Sequence, residues 1–502
     1  MSSAPPDTET GASLPFADAR GCREWLAGLP LTNLAQSQAT LLGGLRRLNA
    51  GSFAGMERLK SLELMRDKVA LLMGEQRASF FGKAVPLPPN DASNWLTGRG
   101  LLDEMEAGYR RALEACATEP ELARHAALVS QRIVRYISSQ LLYHALVYRR
   151  FEPARLARLH DTYAQAQAAG RHEERVKDSL EADEAGSSVA EAYAHALLLA
   201  QAGLSALRPA EIDFAAALAR LWTRKVKVAA GSLEDVAGLA MSVRKRIHAL
   251  NKDESATELG LPAAAPEVDV LAMLLHLHAR WCEPAAVEAG ARPPAEKAVG
   301  LVFGGPEIHF FLSGGKVFEQ PDRKRELTAR EKQDIEVFGR VTERTQSMML
   351  TEHNFTVEKW EAMDEMLGAW RLMRPAASAR SMAVGKLAAM RAGDAAPFFL
   401  GMVSGLVLET DGRMVVTLTL FPGKPEAIAV RAGDARNRSN AKWSQGFSLP
   451  AMEKLKVPAT LLLPAGMAHR GRGVEVWEGE PKEKTVYEIV KRGSDFDRIT
   501  IF

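Results

Sequence analysis

The sequence is poor in cysteine and has almost no excess charge. Three cysteines, Cys22, Cys116 and Cys282, are spread over 502 residues, so a disulfide-stapled secreted fold is excluded and reduced thiols in a cytoplasmic protein are expected. The formal net charge is +2 at pH 7, so there is no general attraction to nucleic acid or to an anionic membrane. We therefore expect a cytoplasmic protein that does not bind nucleic acid.

Long apolar runs are absent as well. The longest, HALLLAQAGLSAL at 195–207, is too short to span a bilayer and contains a histidine and a glutamine, so no membrane span is expected. The first 16 residues, MSSAPPDTETGASLPF, lack the basic and apolar regions of a signal peptide. Their richness in Pro, Ser and Thr predicts a disordered segment over 1–16.

The sequence also lacks the motifs of common enzyme classes. GxSxG, HExxH, CxxC, the P-loop spacing and paired carboxylates do not occur, so an enzyme is not expected. His278 and Cys282 would share one helix face, but two ligands do not make a zinc site. We therefore expect no metal and no cofactor.

Amphipathic helices fill the first part of the chain. Stretches such as NLAQSQATLLGGLRRLNA and HAALVSQRIVRYISSQLLYHALVYRRF repeat apolar residues at intervals of three and four, the period of a helix face. Pro and Gly interrupt them near 86–90, 207–211 and 259–267. This pattern predicts an all-α bundle or irregular array over 17–295. Its broad Ala/Leu surfaces favour a groove for a protein partner or a contact between copies in a homo-oligomer.

The character of the sequence changes near 297. From 296 onwards β signals dominate, as in AVGLVFG, EIHFFLSGG, MVVTLTLF and KTVYEIVKRG. TDGR at 410–413 predicts a hairpin, because Asp-Gly tolerates positive φ. One helical patch, at about 327–350, interrupts the strands. The fold class is thus α+β multidomain: the helical domain is followed over 296–502 by an antiparallel β-barrel with a packed helix and a C-terminal β extension.

Two arginines stand four residues apart in FGRVTERTQ, residues 338–346. On a helix or a tight turn, Arg340 and Arg344 project from one face and are close enough to hold one anion. The planar guanidinium can grip a phosphate with two hydrogen bonds. Taken alone, the pair is also explained by an ordinary solvated helix face, because the same spacing occurs inside helical segments at two other places: Arg171 with Arg175, and Arg220 with Arg224.

An acidic hairpin follows the arginines. WEAMDEMLGAW, residues 360–370, predicts a strand, a tight turn from Asp364 to Gly368, and a second strand. A carboxylate in such a turn can accept hydrogen bonds from the N–H groups of a guanine edge.

This order of parts resembles the PilZ domain, the bacterial receptor module for cyclic di-GMP. That family carries RxxxR and then, 20 to 30 residues later, (D/N)xSxxG on its barrel. Arg340 and Arg344 match the first motif, and Asp364 matches the Asp/Asn position of the second. Segments such as FFLGMVSGLV and the ending YEIVKRGSDFDRITIF are similar to the later strands of atypical proteobacterial PilZ proteins of about this length.

The resemblance implies a PilZ-like barrel and a bacterial cyclic di-GMP effector. Its ligand-binding residues would be Arg340, Arg344, Asp364 and Gly368. In the family the arginines hold phosphates and guanines, and the Asp and Ser help to recognise a guanine. The helical domain would relay the state of the messenger to a protein partner, in the regulation of motility, pili or biofilm.

Two departures from the family motif bear on nucleotide binding. Met366 stands at the serine position, and the loss of one neutral hydrogen bond, about 0.5–1.5 kcal/mol, weakens binding several-fold without abolishing it. Ala369 stands at the last glycine position, with Gly368 one residue early. Alanine would strain a turn that needs positive φ, unless Gly368 takes that role. These departures favour the alternative, a degenerate PilZ-like adaptor or scaffold that acts by protein contact without binding nucleotide.

Overall fold

The chain folds into two compact units, Met1–Ala286 and Val287–Phe502. They are seen in a computed structural model, which describes residues 14–180, 186–283, 292–294, 296–322, 329–340, 342, 355–366, 368–374, 380–393, 396–433 and 442–502.

The first unit is built mainly of helices. Several begin where the sequence predicts a break, as at Pro89 and Pro209, because proline suits the first helical position. Others begin with a side-chain cap, as at Ser188, whose hydroxyl accepts a hydrogen bond from the Glu191 N–H at 3.2 Å. The helices described are α1 Ala19–Ala27, α2 Leu34–Ala50, α3 Gly55–Arg77, α4 Pro89–Ala115, α5 Pro120–Ala123, α6 Ala126–Ala145, α7 Pro153–Ala168, α8 Val189–Gln201, α9 Pro209–Leu221, α10 Ala237–Leu250 and α11 Val270–Cys282.

Helix α6 lies at the centre of this unit and packs against α4, α7, α8 and α9. Its apolar side chains Val129, Ile133, Val134 and Ile137 are buried. The helix therefore has almost no solvated face, and its polar residues are enclosed with the apolar ones.

The structure departs from the expectations for the first 295 residues at two places. A hairpin of β1 (Lys227–Ala229) and β2 (Ser232–Asp235) interrupts the helices. Gly231, with φ +92°, supplies the tight turn that the sequence pattern had not indicated. Phe16, inside the segment predicted to be disordered, is buried and lies 5.5 Å from the Trp25 ring. Residues 1–13 lie outside the described residues.

The second unit contains two closed antiparallel barrels of six strands each. The first has the order β3-β4-β5-β8-β7-β6, and the second the order β10-β11-β14-β13-β12-β9. Their strands are β3 Ala298–Phe303, β4 Glu358–Met366, β5 Ala369–Arg374, β6 Leu387–Ala392, β7 Phe399–Leu408, β8 Met414–Leu420, β9 Glu426–Gly433, β10 Ser444–Leu449, β11 Thr460–Pro464, β12 Gly473–Trp477, β13 Pro481–Arg492 and β14 Phe496–Ile501.

The second barrel corrects the expectation of one barrel with a β extension. Val430, Leu463, Val474 and Ile499 come from four different strands and form an apolar core of their own. A set of strands with its own apolar core is stabilised when it closes into a barrel, because closure pairs the backbone groups of the edge strands.

Helix α12, Gly305–Leu312, replaces the strand predicted for EIHFFL. Ile308, Phe311 and Leu312 have the helical spacing of three and four, and they face a core that includes Phe447 of the second barrel. A short apolar run does not distinguish a strand from a buried helix. Here Pro306, near the start of the segment, favours the helix.

Two local predictions for this unit are confirmed. The predicted TDGR hairpin joins β7 to β8, with Gly412 at φ +85°. Helix α13, Ala329–Phe338, lies within the patch predicted to be helical, and residues 343–354 lie outside the described residues. Within the described ranges, no helix combines the length and the apolar character that crossing a bilayer requires.

Candidate functional site

The four predicted ligand-binding residues fall on two segments of the second unit. Arg340 follows α13 and is exposed. Arg344 lies outside the described residues. Asp364 and Gly368 lie on the β4–β5 hairpin, and no contact joins Arg340 to either of them within the described residues.

Asp364 belongs to strand β4, which corrects the prediction of a turn from Asp364 to Gly368. It pairs in register with Arg371 on β5, and its Oδ2 atom accepts from the Arg371 Nη2 atom at 2.8 Å. The Asp364 side chain is 17% exposed and the Arg371 side chain 44%. A ligand that needs this carboxylate must therefore compete with Arg371.

Gly368 takes the left-handed position of the hairpin. Met366 pairs with Ala369, so the loop has only two residues, and Gly368 has φ +75°. Ala369 is an ordinary strand residue. The one-residue displacement from the family motif consequently puts the positive φ on Gly368 and not on Ala369, and glycine adopts that conformation without a Cβ penalty.

A cavity in the helical unit is a second candidate site, which the sequence analysis did not identify. Its volume is about 330 Å³, within the lower part of the range for small-molecule sites, about 300–1,000 Å³. Its lining includes five arginines: Arg66 and Arg77 of α3, Arg132 and Arg135 of α6, and Arg220 of α9.

The deep end of this arginine cavity is an ion-pair network. Asp178 accepts from Arg66 at 2.5 Å and from Arg132 at 3.1 Å, while Glu63 accepts from Arg132 at 3.0 Å. Burial alone would raise the pKa of Asp178, but Arg132 and Arg66 hold that pKa below its usual value. The network fixes two guanidinium groups in the cavity wall, so they need no reorganisation to meet an anion.

The other three arginines lie toward the exposed side. Arg77 donates to Asp213 of α9, and Arg220 is exposed. Burial, reinforced by the charge of Arg220, lowers the pKa of Arg135 to about 10.

A buried histidine also lines the cavity. His195 is buried, and its Nδ1 atom lies 3.1 Å from the Ser138 hydroxyl. Burial lowers its pKa to about 3, so the imidazole is neutral near pH 7.

The signal for this cavity was present in the sequence. SQRIVRYISSQ at 130–140 places polar residues around the whole of α6, and Ser130, Gln131, Arg132, Ser138 and Gln140 are all buried. Arg220, in a pair interpreted as a solvated face, lines the cavity. Arg171 instead donates to the Ala123 carbonyl at 2.8 Å, and Arg175 donates to Glu191 at 2.7 Å.

Both histidines of α11 have partners other than a metal. The His276 Nε2 atom lies 2.9 Å from the Ala202 carbonyl, and the His278 Nε2 atom accepts from Arg244 at 2.9 Å. No cluster of three or more metal-ligating side chains occurs among the residues that the structure describes.

Comparison with known proteins points to one receptor. Residues 20–232 match the family described as "Cyclic-di-GMP receptor FimW, N-terminal domain". Over 344 residues the chain is 25% identical to the cyclic-di-GMP receptor FimW of Pseudomonas aeruginosa, a match that takes in 62% of this chain and 56% of that receptor. The match therefore spans little more than half the length of this relative. No solved structure matches the chain. The family match includes every residue that lines the arginine cavity.

Proposed function

We propose that this protein is a cytoplasmic, non-enzymatic effector of cyclic di-GMP in a bacterial signalling pathway. The observation that carries the proposal is the similarity to a cyclic-di-GMP receptor over 344 residues. The RxxxR spacing at Arg340 and Arg344, followed by Asp364 on a barrel hairpin, supports it independently.

In this proposal the first barrel is PilZ-like and binds the dinucleotide through Arg340, Arg344, Asp364 and Gly368. Arg340 is exposed, so a ligand can reach it from solvent. The two phosphates of cyclic di-GMP carry two negative charges, and contacts between charged groups are about twice as strong as neutral ones. The arginines would thus supply most of the affinity.

The hairpin would contribute the recognition of a guanine. Gly368 holds the two-residue loop in shape, and the Asp364 carboxylate accepts from N–H donors. It already has one donor in Arg371. Binding then exchanges one hydrogen bond for another, which makes the contribution of Asp364 to affinity modest.

The helical unit would relay the bound state to a protein partner, in the control of motility, pili or biofilm. Large apolar side chains that remain exposed on its helices support a contact surface: Leu71, Leu96, Leu221, Met241 and Leu275. A second copy of the chain is one such partner. Light scattering of the full chain should then show a dimer, and Met241→Glu should shift it toward monomer.

Calorimetric titration with cyclic di-GMP tests the proposal. Replacing Arg340 and Arg344 together by Ala should cost roughly 3–6 kcal/mol, at about 1.5–3 for each charged contact. That is at least about a hundredfold in affinity. Arg20→Ala with Arg23→Ala is the matched control, because both arginines lie on α1 and are exposed. A wild-type protein that takes up no ligand at high micromolar concentration would refute the effector function.

An adaptor that acts without nucleotide is the second candidate. Two observations favour it: the Asp364 carboxylate is engaged by Arg371, and Met366 offers no donor at the serine position. In that case neither the wild type nor Met366→Ser would bind cyclic di-GMP, while the contact with the protein partner would persist.

A further inference from the structure

A groove with a basic rim lies between the C-terminal end of α9, the turn that follows it, and helix α10. Its volume is about 310 Å³. Three of its lining residues carry a positive charge, Lys225, Lys245 and Arg246, and no carboxylate is among the described residues that line it. The basic groove, as we call it, therefore has one sign of charge, although the chain as a whole is almost neutral.

The two lysines of the basic groove are not compensated by this unit. Both are exposed, and neither forms an ion pair with a carboxylate in the part of the chain that the structure describes. Cations nearby do have such partners: Arg224 lies 2.9 Å from Glu191, and Lys227 lies 3.8 Å from Asp235. Arg246 is held by a backbone carbonyl, to which its Nη1 atom donates at 3.1 Å. The lysines are thus the charges that a bound partner could meet.

Exposed apolar side chains accompany the lysines. Met241 is 73% exposed and Leu221 is 45% exposed, and both line the basic groove. Single exposed apolar side chains are ordinary, but a group of them with a polar rim marks an interaction site. A complementary segment would place a large apolar side chain against these two residues and carboxylates beside the lysines, because opposite charges across an interface fix its register and exclude wrong partners.

We propose that the basic groove binds an acidic segment of a partner protein. An apolar side chain of the partner packs against Leu221 and Met241, and its carboxylates pair with Lys225 and Lys245. The inference rests on the proposed function, which gives the helical unit a contact with a protein partner, and it adds the location and the charge of that contact. A protein segment is favoured over a bilayer because the groove is concave, and a flat surface would touch the protruding side chains without filling it.

The test is fluorescence anisotropy of the full chain with a labelled synthetic peptide as the probe. The peptide consists of glutamates with phenylalanines among them, and its counterpart has lysine in place of glutamate. The wild type should bind the acidic peptide and not the basic one, and rising salt should weaken binding, because salt screens exposed charges. Lys225→Glu with Lys245→Glu should weaken binding at least about tenfold, since attraction becomes repulsion.

A second variant tests the apolar part of the basic groove. Met241→Gln keeps the charge and should weaken binding several-fold. The exposed position and the similar helix propensities of methionine and glutamine preserve the fold. Lys424→Glu with Lys454→Glu is the control for charge, because both lysines are exposed and belong to the second unit. Leu96→Gln, at a side chain of α4 that is 51% exposed, is the control for apolar surface. Both controls should bind the acidic peptide as the wild type does.

Several results would overturn the inference. The wild type could fail to bind the acidic peptide, bind both peptides equally well, or keep its affinity when the two lysines of the groove are reversed. Binding to phosphatidylserine vesicles in place of the peptide would assign the groove to a membrane. A dimer in light scattering that Lys225→Glu with Lys245→Glu dissociates would assign it to a second copy of the chain.

The basic groove and the effector function can fail separately, because the peptide assay contains no cyclic di-GMP. If the protein binds the peptide but no cyclic di-GMP, the effector function is refuted and the groove stands, as the adaptor requires. If it binds cyclic di-GMP but not the peptide, the effector function stands and the inference about the groove is wrong.

Discussion

Asp364 and Arg371 face each other across strands β4 and β5, with 2.8 Å between the carboxylate and the guanidinium. The pair joins a carboxylate, which could accept hydrogen bonds from a guanine, to a guanidinium, which could donate hydrogen bonds to a phosphate. The hairpin therefore satisfies the Asp364 Oδ2 atom by itself, and a ligand that uses this oxygen must displace Arg371.

Removing Arg371 should tighten binding at the barrel. The pair is partly exposed, and such pairs are worth about 0.2–1 kcal/mol, so Arg371→Ala should lower the dissociation constant for cyclic di-GMP by up to about fivefold. Calorimetry measures it. Arg413→Ala breaks a similar pair with Asp411, 2.7 Å long, and should leave binding unchanged. Weaker binding by Arg371→Ala would mean that Arg371 itself holds the ligand.

Restoring the serine of the family motif should also tighten binding. Met366→Ser supplies a hydroxyl donor at the guanine edge, worth about 0.5–1.5 kcal/mol, which is several-fold in affinity. Met366→Ala is the control, because it removes the methionine side chain without adding a hydroxyl donor. Its affinity for cyclic di-GMP should not rise. Equal affinities for the serine and alanine variants would exclude a hydrogen bond at this position.

Alanine at Gly368 should destabilise the second unit. Gly368 has φ +75°, and an L-residue in the left-handed region pays roughly 1–2 kcal/mol. No atom lies within 4 Å of an added Cβ, so the cost is conformational and not steric. Urea unfolding measures it. Gly368→Asn should lose less stability than Gly368→Ala, because asparagine tolerates this conformation. Equal losses for the two variants would point to another cause.

The ion-pair network at the deep end of the cavity predicts that Asp178→Asn lowers the free energy of unfolding strongly and in a pH-dependent way. Asp178→Asn leaves Arg66 and Arg132 buried beside a neutral group, and breaking a buried pair costs about 3–5 kcal/mol. The pKa of Asp178 is lowered in the folded state. Its stabilisation is therefore complete above the unfolded pKa, about 3.9, and is lost as the pH falls through the lower folded value.

Urea unfolding at pH 7 and at pH values below about 4 tests this pH dependence. The difference in free energy of unfolding between the wild type and Asp178→Asn should be largest at pH 7 and should become smaller in acid. Glu24→Gln is the matched control, since the Arg20–Glu24 pair is almost fully exposed and contributes little. If the difference in free energy of unfolding does not change with pH, the charge of the Asp178 carboxylate does not stabilise the fold.

Local sequence patterns were sufficient to predict many of the individual helices and the β7–β8 hairpin. The spacing of apolar residues indicated the helices of the first unit, and Pro89 and Pro209 indicated where two of them begin. The Asp-Gly at 411–412 indicated the hairpin of β7 and β8. These features depend on residues a few positions apart, whose preferred backbone angles and faces are set before any tertiary contact forms.

Tertiary packing alone decided the rest. The segment EIHFFL became a helix because the core around Phe447 accepts its apolar face, and the last strands closed into a second barrel because they share a core. Arg66 and Asp178 meet across 112 residues of sequence, and each on its own looks like an ordinary charged residue. A site assembled from α3, α6, α8 and α9 leaves only a faint trace in any one of them, since no local pattern records which helices will become neighbours.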